Sequence, residues 1–223
     1  VVLHDSSYNA RDASLLGLRQ IWGSPAPLFL PLPTQNGALS LDGTSDCVEL
    51  LPIASELSQG FCLEAWIYAE DDRAFASIFD LGRGAPLDNV VLGRRGTDSA
   101  LVLEVYRGTT KTTLTTPVAS LKGKQWSHVA ATVDASGNAK LYIQGQCLAS
   151  SSSSGSIPTA AVTRKAFLGR SSLGTQANFC GQICEARVWS VARSESDLRK
   201  TLATRLQGTE PGLVVNHRLN ELE

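Results

Sequence analysis

The feature that most constrains this fold is a long succession of short strand signals that are separated by turns rather than helices. In each segment apolar residues alternate with polar ones or run together, and clusters of Gly, Asp or Ser bound the segment. The predicted strands are Ala38–Asp42, Cys47–Leu50, Phe61–Tyr68, Ser77–Leu81, Asn89–Leu92, Ala100–Tyr106, Thr109–Thr116, Trp126–Val133, Ala139–Ile143, Lys165–Gly169 and Gly181–Trp189. Because strands joined by short turns pair antiparallel, the sequence predicts an all-β protein with two stacked antiparallel sheets.

One helix is predicted near the C-terminal end. Ser194 and Asp197 have the spacing of a capping box, and Gly208 stands where a left-handed C-terminal stop is expected. The apolar stripe of this helix consists of Leu198, Leu202 and Leu206. We expect the stripe to pack on the sandwich, and a last strand to follow over Leu213–Leu219.

Length and charge exclude several classes of protein. The 223 residues suit one large β domain, predicted to span residues 1–223. The net charge is −1 and no block of Lys or Arg occurs, so the sequence does not predict a basic surface that binds nucleic acid. We expect no insertion into a membrane, because no apolar run approaches the length of about 20 residues that spans a bilayer. The N-terminus has neither an initiating Met nor a signal peptide, so we expect a piece of a longer chain.

The five cysteines leave at least one thiol unpaired within the chain. Their spacing contains no Cys-x-x-Cys pair and no zinc-finger pattern. We expect thiols that are buried in strands, and one or two disulfides stay possible if the protein is exported. The cysteines are Cys47, Cys62, Cys147, Cys180 and Cys184.

Several segments occur in an order that is typical of one family. They are the opening loop His4–Asp12, the hairpin Ala38–Val48, the strand Phe61–Ile67, the pair Trp126–Asp134 and Lys140–Gly145, and the strand Phe179–Trp189. Together they resemble the laminin-G-like jelly-roll family of the concanavalin A-like lectin/glucanase superfamily, in its bacterial tandem-module type. The segment Asn216–Glu221 is similar to the strand that opens such a module, which suggests neighbouring modules.

The resemblance implies an extracellular, secreted or cell-surface recognition module that binds a glycan or a cell-surface glycoprotein. An alternative is a protein–protein adhesion or spacer module without a glycan ligand, and a third is a degenerate glycoside hydrolase. We predict no enzymatic activity, because glycosidases place two carboxylates about 5 Å apart when they retain configuration. No strand carries the Glu-x-Asp-x-Glu pattern that would show such a pair on one face. The isolated glutamates are Glu49, Glu64, Glu104 and Glu185.

A structural calcium ion is predicted at the opening loop, because calcium prefers Asp, Asn, Glu and carbonyl oxygens. Asp5, Asn9 and Asp12 are concentrated in this loop. The resemblance adds Glu185 as a further ligand, although Cys184 replaces the Asp that the family has beside it. The alternative is that these are ordinary turn side chains that bond their own backbone.

A ligand-binding site is predicted on adjacent strands and their loops. Sugar recognition needs planar polar groups and an aromatic face, and these are offered by Asp80, Asp88, Asn89, Arg94 and Tyr106. The alternative is a solvated sheet face. We expect Trp66, Trp126 and Trp189 to lie in the core between the sheets, since each falls within a strong strand pattern.

Overall fold

The computed structural model describes residues 2–3, 13–16, 38–50, 53, 57, 59–82, 88–152, 165–174 and 176–219. Within them the chain forms sixteen strands and one helix. The first strands are β1 Val2–Leu3, β2 Ala13–Leu16, β3 Leu39–Asp42, β4 Cys47–Leu50, β5 Gly60–Ala69, β6 Ala76–Gly82, β7 Asn89–Arg95 and β8 Ala100–Arg107. The others are β9 Thr110–Thr115, β10 Trp126–Asp134, β11 Ala139–Ile143, β12 Gln146–Ser151, β13 Lys165–Leu168, β14 Ala177–Asn178, β15 Cys180–Trp189 and β16 Leu213–His217, with α1 at Glu195–Thr201.

The described strands form two sheets, which confirms the predicted all-β sandwich. The nine-stranded sheet has the order β1-β2-β4-β13-β6-β7-β8-β9, and β14 pairs with β6. The seven-stranded sheet has the order β12-β11-β10-β5-β15-β16, and β3 pairs with β15. The pairing of β14 with β6 is parallel, whereas the main path of each sheet is antiparallel. A jelly-roll sandwich is therefore present, with most strands joined by turns as their sequences predict.

The inner faces of the two sheets enclose an apolar core. It is built from aliphatic and phenyl side chains such as Phe61 and Leu63 of β5, Leu103 of β8 and Val129 of β10. A fully buried apolar side chain of this size contributes about 1.5–3 kcal/mol, so this core is the main source of stability. Along regular strands such as β5, β8 and β10 the core residues follow a period of two, which is the signal that predicted the sandwich.

A second buried layer lies on the outer face of the seven-stranded sheet, under α1. Trp189 packs there with Leu198, and Trp66 packs against the partly buried Leu202. Trp66 and Trp189 are each 2% exposed, but neither belongs to the core between the sheets. Their burial is confirmed, but the prediction that they lie between the sheets is wrong, because β5 and β15 are covered on both faces. Trp126 is half-buried beside the same layer.

The helix is shorter than its leucine stripe predicts. The predicted capping box is present, since Ser194 Oγ accepts from Asp197 N at 3.1 Å and the Asp197 carboxylate accepts from Ser194 N. The helix ends at Thr201, however, so the buried Leu206 and the proposed stop Gly208 lie beyond it.

Side chains of the sheet explain where the helix ends. Trp66 Nε1 donates to the Leu202 carbonyl at 2.8 Å, and Arg187 donates to the carbonyls of Thr201 and Thr204 at 3.0 and 2.7 Å. The last carbonyls of a helix have no partner within it. Because donors from β5 and β15 satisfy these groups, the chain can leave the helical path without a glycine stop.

All five cysteine thiols are free. Cys47, Cys62 and Cys184 are buried, whereas Cys147 and Cys180 are half-buried. Desolvation raises the pKa of the Cys62 and Cys184 thiols, so both stay protonated near neutral pH. The helix of the described region is too short and too polar to be a membrane span.

Candidate functional site

The outer face of the nine-stranded sheet carries one continuous row of side chains across four strands. In the register of the sheet Asp80 lies opposite Val91, Val91 opposite Glu104, and Glu104 opposite Thr113. Directly opposed residues of antiparallel strands point to the same face. Asp80 and Glu104 therefore point outward on the same side, separated by the single strand β7.

The next row along the sheet adds an amide and a phenol. Gly82 lies opposite Asn89, Asn89 opposite Tyr106, and Tyr106 opposite Lys111. A Cβ atom at Gly82 would overlap Asn89 Oδ1, so the missing side chain makes room for this amide. Three of the predicted ligand-binding residues, Asp80, Asn89 and Tyr106, are thus brought together on one face.

Asp80 is fully buried. Its two carboxylate oxygens differ in their hydrogen bonds. Oδ2 accepts hydrogen bonds from Ser171 Oγ at 3.0 Å, from Ser172 Oγ at 2.9 Å and from the Ser172 backbone N–H. Oδ1 is buried and has no hydrogen-bond partner. Burial raises the pKa of Asp80 in spite of these bonds, because desolvation disfavours the charged form.

Glu104 accepts hydrogen bonds from three side chains. Its Oε2 accepts from Tyr106 Oη at 2.7 Å and from Gln176 Nε2 at 2.8 Å, and its Oε1 accepts from Lys111 Nζ at 3.0 Å. Ser77 Oγ in turn donates to Gln176 Oε1 at 2.8 Å. Burial, and next the hydrogen bond to Glu104, raise the pKa of Tyr106, so the phenol keeps its proton.

We refer to these groups together as the polar network. Its members are Ser77, Asp80, Asn89, Glu104, Tyr106, Lys111, Ser171, Ser172 and Gln176. The network is buried at Asp80 and Asn89, half-buried at Tyr106 and open to solvent at Lys111. Lys111 Nζ also lies 5.9 Å from the centroid of the Tyr106 ring. A ligand can therefore approach from the side of Tyr106 and Lys111.

The other two predicted ligand-binding residues lie outside the polar network. Asp88 is half-buried, and its Oδ1 accepts from the Gly108 backbone N–H at 3.0 Å, which ties two turns together. Arg94 leaves β7 on the inner face of the sheet. Its buried guanidinium donates to the Asp71 carbonyl at 2.8 Å and forms an ion pair with Asp72 at 2.6 Å. Arg94 thus fixes a loop at one end of the sandwich.

Six network members were not predicted as site residues: Ser77, Glu104, Lys111, Ser171, Ser172 and Gln176. Glu104 precedes Tyr106 by two positions, so the period of the strand places both side chains on one face. This spacing was a usable signal. Ser171, Ser172 and Gln176 reach the face from a segment that is distant in sequence, and no local pattern marks them.

A separate charge cluster lies under α1 on the outer face of the seven-stranded sheet; it consists of Glu64, His128 and Arg187. Glu64 Oε2 lies 3.1 Å from His128 Nε2, and Glu64 Oε1 accepts from Trp189 Nε1 at 2.8 Å. Arg187 Nη1 lies 3.6 Å from Glu64 Oε1. Desolvation acts to raise the pKa of Glu64, but the hydrogen bond from His128 and the charge of Arg187 outweigh it and lower the pKa to about 2.

Glu185, the predicted calcium ligand that the structure describes, forms an ion pair with Arg187. It lies at a bulge of β15 with a φ of +50°, and its Oε2 accepts from Arg187 Nη2 at 2.8 Å. Its Oε1 is buried without a hydrogen-bond partner. The other predicted ligands, Asp5, Asn9 and Asp12, lie outside the described residues. No group of three or more His, Cys, Asp or Glu side chains within the described ranges could hold a metal ion.

The two-sheet sandwich, with polar groups on an outer sheet face and a short helix on the other sheet, defines a concanavalin A-like β-sandwich domain. A sequence model of the Laminin_G_3 family, described as the concanavalin A-like lectin/glucanases superfamily, matches residues 42–199. The chain belongs to this family. A comparison with curated proteins finds no match.

Solved structures share the fold at low sequence identity. A candidate carbohydrate-binding protein from Bacteroides ovatus is 22% identical, with a TM-score of 0.56 over 77% of this chain and 48% of that one. The CBM40 of the Ruminococcus gnavus IT-sialidase, bound to α2,3-sialyllactose, is 16% identical, with a TM-score of 0.59 over 73% and 95%. The receptor binding domain of a botulinum neurotoxin C/D mosaic serotype is 13% identical, with a TM-score of 0.62 over 90% and 49%.

The present chain spans about half the length of the Bacteroides ovatus structure. These likenesses establish the fold.

Proposed function

We propose that this domain binds a glycan on the outer face of its nine-stranded sheet, through the polar network. The observation that carries the proposal is the convergence of two carboxylates, an amide and a half-exposed phenol ring on one face. Carboxylates and amides accept or donate hydrogen bonds to vicinal hydroxyls, and an aromatic ring packs on the C–H surface of a sugar. Tyr106 supplies the ring and the exposed Lys111 supplies a polar group, while Glu104 holds both side chains in place and Asp80 and Asn89 lie buried behind them.

Two further observations support recognition rather than catalysis. Both oxygens of Glu104 are engaged by Tyr106, Gln176 and Lys111, and Asp80, the other carboxylate of the face, is fully buried, so neither is placed to activate a water at a bound sugar. The Bacteroides ovatus and Ruminococcus gnavus structures are named for carbohydrate binding. The proposal includes an extracellular setting and a place within a larger chain.

A protein–protein adhesion role has less support. Of the large hydrophobic side chains in the described ranges, Val118 and Val191 alone are exposed, at 70% and 45%. Interfaces between proteins are enriched in aromatic and other large apolar anchors, so this surface offers little of what such a partner buries.

Replacing Tyr106 with Ala tests the proposal. The change removes the half-exposed ring and one of the donors to Glu104. We expect the affinity for the bound glycan to fall about tenfold or more, because a lost aromatic contact and a lost hydrogen bond each contribute on the order of 1 kcal/mol. A glycan array identifies the ligand, and calorimetry then measures its affinity for the parent domain and the variant.

Tyr68→Ala is the matched control, because Tyr68 is a half-buried tyrosine of the seven-stranded sheet with its ring 5.9 Å from Trp126. It should keep the parent affinity. Equal losses in both variants, or no loss in Tyr106→Ala, would contradict binding at the polar network.

The calcium ion stays a prediction of the opening loop. If it is bound there, a chelator should lower the melting temperature of the domain by a few degrees, since a ligand that binds the folded state stabilises it. Thermal melting with and without the chelator measures this, and Asp5→Ala should remove the difference. A chelator effect of the same size in Asp5→Ala would show that the ion binds elsewhere.

A further inference from the structure

The three side-chain hydrogen bonds to Glu104 all run toward its carboxylate, which is ion-paired with Lys111. An ionised carboxylate accepts hydrogen bonds and cannot donate one, so each partner must supply the hydrogen. Tyr106 Oη lies 2.7 Å from Oε2, and Lys111 Nζ lies 3.0 Å from Oε1. The single phenol hydrogen of Tyr106 therefore points inward, at Glu104.

The buried side of the network fixes the same direction. Ser77 Oγ, which belongs to a fully buried residue, donates to Gln176 Oε1 at 2.8 Å. This leaves Gln176 Nε2 to donate to Glu104 Oε2, at 2.8 Å. A flipped amide would set its Oε1 against the carboxylate oxygen, so these contacts determine the orientation of the amide. Glu104 is itself buried, and its neighbours hold it without a ligand.

Two members of the network that solvent reaches offer different chemistry. Tyr106 is half-buried, and the side chain of Lys111 is 46% exposed. A phenol whose hydrogen is donated inward keeps an oxygen lone pair and can accept a hydrogen bond from a ligand. An ammonium group has three N–H donors and no acceptor, and Lys111 gives one of its donors to Glu104. The ligand therefore meets one acceptor and one donor side by side.

We infer that Glu104 is a positioning residue that sets the hydrogen-bond polarity of the glycan site: Tyr106 Oη accepts from a sugar hydroxyl, and Lys111 Nζ donates to a neighbouring sugar oxygen. The inference rests on the proposed function and names the groups of the sugar that the same site recognises. Tyr106 and Lys111 bond to the two oxygens of one carboxylate, so they are close neighbours, as two adjacent hydroxyls of a sugar are. The site thus selects a free vicinal diol over a sugar whose hydroxyl is methylated or replaced by fluorine, because neither of those groups can donate.

The ionisation of Tyr106 tests the positioning role without any ligand. Burial, and next the hydrogen bond to Glu104, raise the pKa of Tyr106. Glu104→Gln removes the negative charge beside the phenol, so the pKa of Tyr106 should fall toward the ordinary tyrosine value of about 10. NMR of the domain labelled with ¹³C at tyrosine Cζ measures this titration, and Tyr106→Phe assigns the signal. An unchanged pKa in Glu104→Gln would overturn the positioning role.

A panel of methyl glycosides tests the polarity of binding. It contains the methyl glycosides of glucose, galactose and mannose, each beside its mono-O-methyl and monofluoro forms. For the parent domain, blocking one particular hydroxyl should lower the affinity about fivefold, the effect of one lost hydrogen bond. In Tyr106→Phe, which lacks the accepting oxygen, the free and the blocked form should bind equally. Calorimetric titration measures the ratio of the two affinities.

Glu104→Gln should lower this ratio toward one. An amide at position 104 can itself donate to the phenol oxygen, so the phenol hydrogen is free to turn toward the ligand. Glu49→Gln is the matched control, since Glu49 is a half-buried glutamate of β4 in the same sheet and lies outside the polar network. It should leave both the pKa of Tyr106 and the affinity ratio at their parent values.

The outcomes separate this inference from the proposed function. A parent domain that binds the free and the blocked forms equally at every hydroxyl would overturn the inference and leave glycan binding intact. A domain that binds no member of the panel and no glycan of an array would overturn glycan binding itself. If Glu104→Gln melts below the assay temperature, Tyr106→Phe decides, and a ratio that stays at the parent value counts against the inference.

Discussion

Replacing Arg187 with Met is expected to lower the free energy of unfolding by about 3–5 kcal/mol, the usual cost of removing one partner of a buried ion pair. Arg187 is 1% exposed and forms a 2.8 Å ion pair with Glu185 and a longer one with Glu64. It also donates to the carbonyls of Thr201 and Thr204. Met fills similar space but leaves two buried carboxylates and two carbonyls short of a donor. Urea unfolding followed by tryptophan fluorescence measures the change.

Arg199→Met is the matched control. Its guanidinium is 57% exposed and pairs with Glu195 at 2.6 Å on the surface of the helix. Exposed pairs contribute about 0–1 kcal/mol, so this variant should unfold near the urea midpoint of the parent domain. An Arg187→Met midpoint equal to that of the parent domain would show that the charge cluster does not hold the helix to the sheet.

The charge cluster also predicts the second large effect, a loss of stability in acid. The pKa of Glu64 falls from 4.5 to about 2 on folding. A carboxyl with a lowered pKa stabilises the folded state above its unfolded pKa, and this contribution disappears as the pH falls through the folded pKa. The free energy of unfolding should therefore drop by about 3 kcal/mol between about pH 4.5 and pH 2 on account of Glu64 alone.

Glu64→Gln isolates this part of the pH dependence. The variant should be less stable than the parent domain at neutral pH, but its stability should change less between pH 4.5 and pH 2. Glu70→Gln, at an exposed carboxyl next to β5, should keep the slope of the parent domain. Chemical unfolding at a series of pH values measures both slopes. Identical slopes for Glu64→Gln and the parent would rule out a lowered pKa at Glu64.

The sandwich could be predicted from the sequence because period-two patterns mark the strands that face the core. β12 was not predicted, since Gln146–Ser151 contains no β-branched or aromatic residue and lies at a sheet edge. The sequence does not show on which side of the sheet the tryptophans lie, for a different reason. Along β5 both alternating sets of side chains are buried, and the pattern alone does not tell which set faces the other sheet and which faces the helix.

The end of the helix could not be predicted from local sequence. Leu206 continues the spacing of Leu198, but the helix has already ended at Thr201. The cause is the set of donors from Trp66 and Arg187, which lie in strands far away along the chain. Long-range hydrogen bonds of this kind leave no trace in a periodicity.

The candidate site could be predicted in part. Whether two residues of a strand are an odd or an even number of positions apart decides whether their side chains share a face. Asn89 and Arg94 are five positions apart in one regular strand, an odd spacing that puts them on opposite faces. The even spacing of two positions between Glu104 and Tyr106 puts these two side chains on the same face. Gln176 and the two serines meet this face through tertiary folding alone.

The seven residues of α1 are fewer than an isolated helix needs to persist in water, which is about 12–15. Its final carbonyls are bonded by side chains that exist in place only while β5 and β15 are paired. Detachment of the helix is therefore coupled to disruption of the central strands, and the two form a single cooperative unit. A force or a protease that acts on the C-terminal segment must therefore overcome the unfolding free energy of the central strands as well as that of the short helix.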